Sequence, residues 1–284
     1  METREHTRAR QEANQELPNR NWELPDGNWE LIGGGVVAAM RYGEIMSLYQ
    51  EDLAFVQTVG FSDFAAKVSP AILEELRARP FVRVVADIGC GAGITTAALS
   101  AAGYEVVAIE PSGALLKIAR RSAPRARFIQ GSVYEVDLPA CDAVLAVGEP
   151  LSYHQPEVDA DGVLRSLLAR VRAALSPGGL FVFDVISSAG PSLDARAWKS
   201  DDEWAILYET REDRATARLT REIEVFRRHG SGYRRTKELH HVKLFDEVEL
   251  ARWLEQAGFS VQVTSAYGNI QLAPRRIAFF ATRR

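Results

Sequence analysis

The chain has few of the residues that mark disulfide-rich, metal-binding or membrane-spanning proteins. Only two cysteines, Cys90 and Cys141, occur among its 284 residues. Two cysteines cannot form a disulfide framework, and no C-x-x-C or Cys/His spacing typical of a zinc site is present. We therefore expect no metal site and a reducing, cytoplasmic environment. No run of about 18 apolar residues occurs either, so we expect no membrane-spanning helix.

A strong excess of one charge is also missing. The formal net charge is −4. Proteins dedicated to nucleic acids or membrane surfaces are usually basic, so neither kind of partner is expected. Residues 1–20 are charged and polar and lack the apolar core of a signal peptide. Hydrophobic residues make up 46% of the chain, a share that supports an ordinary globular core.

Apolar and helix-forming segments alternate through the middle of the chain. Such alternation is typical of βαβ units and a parallel sheet. Residues 1–30 are expected to be disordered or loosely held, and residues 31–80 to form a helical cover, broken near Gly60 and at Pro70. Strands are predicted at 82–88, 104–109, 126–130, 141–147 and 179–185, and helices at 94–102, 112–122 and 158–174.

The pattern changes after residue 200. Residues 203–244 contain three segments rich in Thr, Arg and aromatic residues with no helix between them, which predicts antiparallel strands with a hairpin turn at 229–232. A last helix at 246–256 and strands at about 259–266 and 276–282 complete the chain. We therefore expect one doubly wound α/β domain over residues 81–284, with the antiparallel strands of residues 203–244 as an insertion.

The first strand of the alternating region leads into a glycine-rich turn. Gly89, Gly91 and Gly93 follow the largely apolar segment 82–88 at alternate positions, and a helix-forming segment begins directly afterwards. Glycine permits positive φ and lacks the Cβ that would keep a ligand away from the backbone. The N-terminus of the following helix offers unpaired N–H groups and the positive end of its dipole. This arrangement predicts a nucleotide-binding turn.

The spacing of these glycines distinguishes two kinds of nucleotide site. In the dinucleotide fingerprint G-x-G-x-x-G, the third glycine would stand at Ile94. The chain instead reads Asp87-Ile-Gly89-Cys-Gly91-Ala-Gly93, which resembles the D-x-G-x-G-x-G motif of the class I, Rossmann-like S-adenosylmethionine-dependent methyltransferases of small-molecule type. The resemblance covers about residues 80–284. It implies a seven-stranded, mostly parallel sheet, an antiparallel lid formed by the insertion at residues 203–244, S-adenosylmethionine as cofactor and S-adenosylhomocysteine as product.

The resemblance also implies a set of cofactor contacts at the carboxyl ends of the strands. Asp87 is expected to orient the turn and the cofactor's ammonium group, and Glu110, about 20 residues after the glycines, to accept both ribose hydroxyls. Ser132 stands where most family members have an Asp that accepts the adenine amino group, so this chain departs from the pattern there. The predicted set is Tyr49, Asp87, Gly89, Cys90, Gly91, Gly93, Glu110, Pro111, Ser132, Val133, Gly148 and Glu149.

Methyl transfer requires the acceptor, methyl group and sulfur to be aligned, and a general base only if the acceptor is protonated. Tyr153 and His154 follow the fourth strand, and Tyr153 matches the place where related small-molecule enzymes carry a Tyr or His beside the acceptor. His240 and His241 are neighbours on a predicted lid strand, so only one can face the cleft. Tyr153, His154 and His241 are the catalytic candidates. Glu149 either faces the reaction centre or caps its loop.

The sequence thus predicts an enzyme that methylates N or O of a small-molecule acceptor enclosed by a lid. Two other functions stay open: a nicotinamide-dependent oxidoreductase, against which Ile94 speaks, and a non-catalytic S-adenosylmethionine-binding protein, for which Ser132 leaves room. A protein or RNA acceptor is a further alternative, and the acidic balance disfavours RNA. A homodimer is also left open.

Overall fold

The computed structural model describes residues 48–284, so the predictions for the N-terminal segment and for the first part of the helical cover lie outside the described residues. Two helices come first, α1 (Glu51–Phe61) and α2 (Asp63–Arg77). They separate close to Gly60, but the break predicted at Pro70 is wrong, because Pro70 lies inside α2. A proline there costs about 3 kcal/mol. Burial of the apolar face of α2 against the sheet, through Val68, Ile72 and Leu76, offsets this cost.

The alternating region forms the expected α/β sandwich. Its elements are β1 (Val84–Ile88), α3 (Ile94–Ala101), β2 (Glu105–Glu110), α4 (Gly113–Ser122), β3 (Arg127–Gln130), β4 (Cys141–Ala146), α5 (Ala160–Ala174) and β5 (Leu175–Ile186). The lid strands follow as β6 (Ala195–Ser200), β7 (Trp204–Asp213), β8 (Arg218–His229) and β9 (Gly232–Lys243). The chain then continues with α6 (Glu247–Gln256), β10 (Phe259–Thr264), β11 (Ala266–Tyr267), β12 (Ile270–Gln271) and β13 (Arg276–Arg283).

Seven strands form one sheet in the order β10-β13-β5-β4-β1-β2-β3. Strands β1 to β5 pair in parallel, and β13 lies antiparallel to both β5 and β10. The predicted seven-stranded, mostly parallel sheet is therefore confirmed. Helices cover both faces, which is why β1 reads as a nearly continuous apolar run with four of its five residues buried.

The strand order reverses beside β1, because its two neighbours are β2 and β4. In open α/β sheets ligands bind at the carboxyl ends of the strands at such a switch point. The glycine turn, the end of β2 at Glu110 and the segment after β4 all lie at this edge of the sheet. The fold thus brings the predicted cofactor residues to one place.

The lid is a separate antiparallel sheet of four strands, β6-β7-β8-β9, not three. The sequence prediction missed β6 because that strand is an edge strand with five of its six residues exposed, and it has no apolar alternation. The hairpin turn between β8 and β9 is confirmed. Strands β7, β8 and β9 pair in rows, and one row joins Thr210, Arg221 and His240 on the same face of the sheet.

None of the helices in residues 48–284 combines the length and the apolar character needed to cross a membrane.

Candidate active site

A cavity of about 590 Å³ lies between the carboxyl edge of the main sheet and one face of the lid. Cavities of this size are typical of small-ligand sites. The sheet contributes the glycine turn and the ends of β2 and β4, and the lid contributes alternate residues of its strands. The lid residues are Ile206, Tyr208 and Thr210 from β7, Leu219, Arg221 and Ile223 from β8, and His240 from β9.

The three glycines of the turn serve different structural needs. A Cβ on Gly89 would meet Pro150 at 2.2 Å, and a Cβ on Gly93 would meet Ala119 of α4 at 2.9 Å, so both glycines permit close packing within the protein. Gly91 has φ +56° and lines the cavity, and a Cβ there would meet no atom within 4 Å. Gly91 is therefore the glycine that keeps ligand space free.

Glu110 connects the end of β2 to the glycine turn. Its Oε2 accepts a hydrogen bond from the Gly91 N–H at 3.0 Å, and its Oε1 accepts one from the Ser112 N–H at 2.9 Å. Each carboxylate oxygen keeps a further lone pair. Burial raises the pKa of Glu110 to about 7, although the two N–H donors oppose that rise.

Asp87 is the penultimate residue of β1 and lies in the cavity wall. Its Oδ2 accepts a hydrogen bond from the Thr96 hydroxyl at 2.5 Å, which connects the strand to α3. Burial raises the pKa of Asp87 to about 6, against the effect of this hydrogen bond. Asp87 is thus a buried carboxylate in the cavity wall.

The residues predicted to contact the adenine also lie in the cavity wall. Pro111, Ser132 and Val133 line the cavity, as does Cys90, whose thiol pKa is raised by burial and by the charge of Asp87. The Ser132 hydroxyl accepts a hydrogen bond from the Tyr134 N–H at 3.2 Å, so it closes its own turn.

Gly148 and Glu149 follow β4, and both have positive φ, +89° and +63°. Their N–H groups donate to the buried carboxylate of Asp184 at 2.8 and 3.1 Å. A positive φ is uncommon for a glutamate, and backbone strain of this kind tends to cluster at functional sites. The backbone here is held in place from β5, and a Cβ on Gly148 would meet no atom within 4 Å.

The Glu149 carboxylate lies between two arginines. Its Oε1 is 2.5 Å from Nη1 of Arg221 in the lid, and its Oε2 is 2.9 Å from Nη2 of Arg276 in β13. Burial opposes its ionisation, but the two guanidinium groups outweigh burial and lower the pKa of Glu149 to about 2. Glu149 thus faces the cavity as the carboxylate that joins the sheet to the lid.

An aromatic cluster forms the far wall. The hydroxyls of Tyr49 and Tyr153 lie 2.9 Å apart, and Arg221 donates to the Tyr153 hydroxyl at 3.1 Å. Both tyrosine rings lie against the His240 ring, with centroids 5.1 and 5.7 Å away. Behind His240, Glu238 contacts its Nε2 at 2.8 Å.

Most predicted site residues lie together in this wall, but three do not. Gly93 is packed on α4. His154 is buried outside the cavity, with Nε2 3.0 Å from the Leu151 carbonyl, and burial lowers its pKa to about 4. His241 lies on the opposite face of β9 from His240, so the structure directs His240 to the cavity in place of His241.

Sequence reasoning missed Arg221, Arg276 and Glu238 and did not select His240. Arg221 carried a signal, since it interrupts the inward-facing alternation of Leu219, Ile223 and Val225 on β8. Within residues 48–284, no group of three or more His, Cys, Asp or Glu residues is placed to hold a metal ion.

The sheet order and the D-x-G-x-G-x-G turn at its switch point define a class I methyltransferase fold. The cavity fits the cofactor of this class, because Gly91 and Gly148 leave backbone open to it and Glu110 retains acceptor capacity. Residues 85–179 match a family model described as a methyltransferase domain. The chain therefore carries a methyltransferase domain in a class I fold, which supports the predicted resemblance to the class I S-adenosylmethionine-dependent methyltransferases and S-adenosylmethionine as the predicted cofactor.

Known proteins share this fold over most of the chain. One relative is a protein of Geobacillus sp. (strain WCH70) that is named as a methyltransferase. It is 26% identical to this chain over 186 residues, which cover 62% of this chain and 74% of the relative. An S-adenosylmethionine-dependent methyltransferase from Clostridium acetobutylicum ATCC 824 superposes with a TM-score of 0.69 at 21% identity, covering 81% of this chain and 96% of that one. The sugar N-methyltransferase KedS8 from Streptoalloteichus sp. ATCC 53650 gives a TM-score of 0.64 at 20% identity, with 93% and 100% covered.

Proposed function

We propose that this enzyme transfers the methyl group of S-adenosylmethionine to a nitrogen or oxygen atom of a small molecule. The observation that carries the proposal is that one continuous cavity connects the glycine turn to the inner face of the lid. A closed wall of lid strands suits a compact acceptor better than a polymer. The similarity to a sugar N-methyltransferase, which this chain covers over its full length, supports the same class of acceptor.

The residues of the sheet would hold the cofactor, which supplies an electrophilic methyl group on a sulfonium. Glu110 would accept the ribose hydroxyls with the lone pairs that Gly91 and Ser112 leave free. Asp87 and the backbone at Gly148 would receive the amino-acid end, and Pro111, Ser132 and Val133 would enclose the adenine. No protein nucleophile is needed, because aligning the reactants supplies on the order of 7–11 kcal/mol.

The lid would position the acceptor and exclude water. Ile206, Leu219 and Ile223 present apolar side chains to the cavity, and Tyr153 and Arg221 present polar groups between them. A few polar groups in a mostly apolar wall are typical of sites that orient one small ligand. Displacement at carbon also profits from the absence of water, which would compete as a nucleophile.

Calorimetry on the purified full-length chain tests this function. We expect S-adenosylmethionine and S-adenosylhomocysteine to bind with micromolar or better affinity and NAD to show no heat of binding. Release of S-adenosylhomocysteine should then be followed over a panel of amino sugars, small amines and phenols. Binding of NAD alone would favour the oxidoreductase, and S-adenosylmethionine binding with no turnover on any acceptor would favour a non-catalytic binder.

The pH dependence of cofactor binding should report on Glu110. The ionised carboxylate is the better acceptor for ribose hydroxyls, and burial raises the pKa of this group to about 7 in the ligand-free protein. Below that pH, binding has to expel a proton, so the Kd for S-adenosylhomocysteine should rise as pH falls, approaching about tenfold per unit. Above about pH 7 the affinity should be constant. Calorimetry between about pH 5.5 and 8.5 measures the effect.

Glu110→Gln should bind S-adenosylhomocysteine more weakly than the wild type does. Its Kd should also lose the part of the pH dependence that lies closest to about pH 7. A matched control is Glu105→Gln, at the exposed start of the same strand, which should keep the wild-type profile. An unchanged pH profile in Glu110→Gln would contradict the assigned role.

A further inference from the structure

His240 is a buried histidine in the cavity wall, and one of its ring nitrogens has no hydrogen-bond partner among the described residues. Its side chain is fully buried, yet its Nδ1 has no hydrogen-bond partner within residues 48–284. Leaving a buried polar atom unpaired costs about 1–3 kcal/mol. Such an atom in the wall of a ligand site points to a bond that a ligand supplies.

The other ring nitrogen of His240 is held firmly. Nε2 lies 2.8 Å from Oε2 of Glu238, so it carries the proton and donates to that carboxylate. Glu238 is itself fixed by the N–H groups of Tyr49 and Gln50, each at 2.7 Å. A histidine whose Nε2–H is bonded to a carboxylate presents Nδ1 as a bare acceptor, and the carboxylate stabilises the ring if Nδ1 gains a proton.

Charged and titratable groups surround this ring from every neighbouring element. Tyr49 and Tyr153 lie against its faces, Glu238 lies behind it on the same strand, and Arg221 is its register partner on β8. Glu149 pairs with Arg221 at 2.5 Å and also with Arg276 at 2.9 Å, and Asp184 lies 3.3 Å from Arg276. Counted together, the carboxylates of Glu238, Glu149 and Asp184 leave this part of the wall without excess positive charge, which suits a cationic acceptor.

From this geometry we propose that the acceptor is an amine and that Nδ1 of His240 receives its proton. The inference rests on the proposed function and names the substrate class and the proton acceptor for it. The acceptor's ammonium N–H bond breaks, and the proton moves to Nδ1 of His240 while Glu238 holds the opposite side of the ring. The freed nitrogen lone pair then forms the new N–C bond as the S–C bond breaks and the sulfur keeps its electron pair. The proton passes to solvent after the product leaves.

The tautomer can be tested without any acceptor. The chain contains five histidines, so selective ¹⁵N labelling of their rings gives few signals, and His240→Gln assigns the relevant pair by loss. In the full-length protein saturated with S-adenosylhomocysteine, we expect the Nε2 of His240 to carry a proton and Nδ1 to be bare. A proton on Nδ1 would overturn the proposal, and this reading does not depend on turnover.

Activity provides the second test. With amines as acceptors, His240→Gln should lower kcat by about 100-fold or more while the Kd for S-adenosylhomocysteine stays within threefold of wild type. His229→Gln, at the exposed tip of the β8–β9 hairpin, is the matched control and should keep wild-type kcat. Turnover of hydroxyl acceptors only, or wild-type kcat in His240→Gln, would overturn the inference. Failure of the protein to bind S-adenosylhomocysteine would instead refute the proposed function.

Discussion

Gly91→Leu should abolish measurable binding of S-adenosylhomocysteine, a loss of at least about 100-fold in affinity, equivalent to about 2.8 kcal/mol. Gly91 has φ +56° and its missing Cβ faces open cavity space, so a leucine side chain there would occupy the volume next to the turn's backbone. The bond from its N–H to Glu110 would also be strained. Calorimetry with the full-length variant measures the loss.

A control variant is needed to separate the loss of binding from the effect of backbone strain, because a non-glycine residue in this conformation costs about 1–2 kcal/mol. Gly230→Leu provides it. Gly230 has φ +61°, lies at an exposed hairpin tip and also has open space where a Cβ would project. We expect similar losses of thermal stability in both variants and a loss of binding only in Gly91→Leu. Tight binding by Gly91→Leu would show that the turn is not the cofactor site.

Arg221→Met should destabilise the protein by about 3 kcal/mol and impair turnover strongly. The substitution keeps the aliphatic stem and removes the guanidinium from Glu149, whose pKa of about 2 shows a carboxylate that stays charged when buried. Breaking a buried pair typically costs 3–5 kcal/mol, and Arg276 at 2.9 Å places the loss at the lower end of that range. Denaturant unfolding of wild type and variant measures the difference.

A double-mutant cycle separates the ion pair from the packing of the stem. Glu149→Gln should restore part of the stability that Arg221→Met removes, because no buried charge is then left with one partner fewer. Arg228→Met, on the same strand and paired with Glu203 at the surface, should cost less than about 1 kcal/mol. Equal losses for Arg221→Met and Arg228→Met would contradict a buried link between lid and sheet.

The residues that line the cofactor half of the cavity could be predicted from the sequence because they belong to short contiguous motifs. The turn at Asp87–Gly93, the acid at Glu110 and the segment at Gly148 each lie at the carboxyl end of a strand, and parallel strands place these ends at one edge of the sheet. Eleven of the twelve residues named for the cofactor line the cavity, and Gly93 differs only because α4 packs against it. Their binding roles remain predictions that the variants above test.

The acceptor half could not be predicted to the same degree. Which of His240 and His241 faces the cavity depends on the register of β9 against β8, and a shift by one residue would exchange them. His154 sits directly after Tyr153, yet the chain turns it into the protein, where burial lowers its pKa to about 4. Local sequence has no signal for either outcome.

The amino-acid sequence by itself determined the class of fold and the edge of the sheet at which a ligand binds, since apolar periodicity and glycine spacing act over a few residues. Only the tertiary structure decided that Glu149 would meet Arg221 and Arg276, which are 72 and 127 positions further along the chain in β8 and β13. It also placed Glu238 behind a histidine with a bare nitrogen. These pairings arise from strand register and from docking the lid on the sheet, and such long-range contacts leave no periodic trace in the chain.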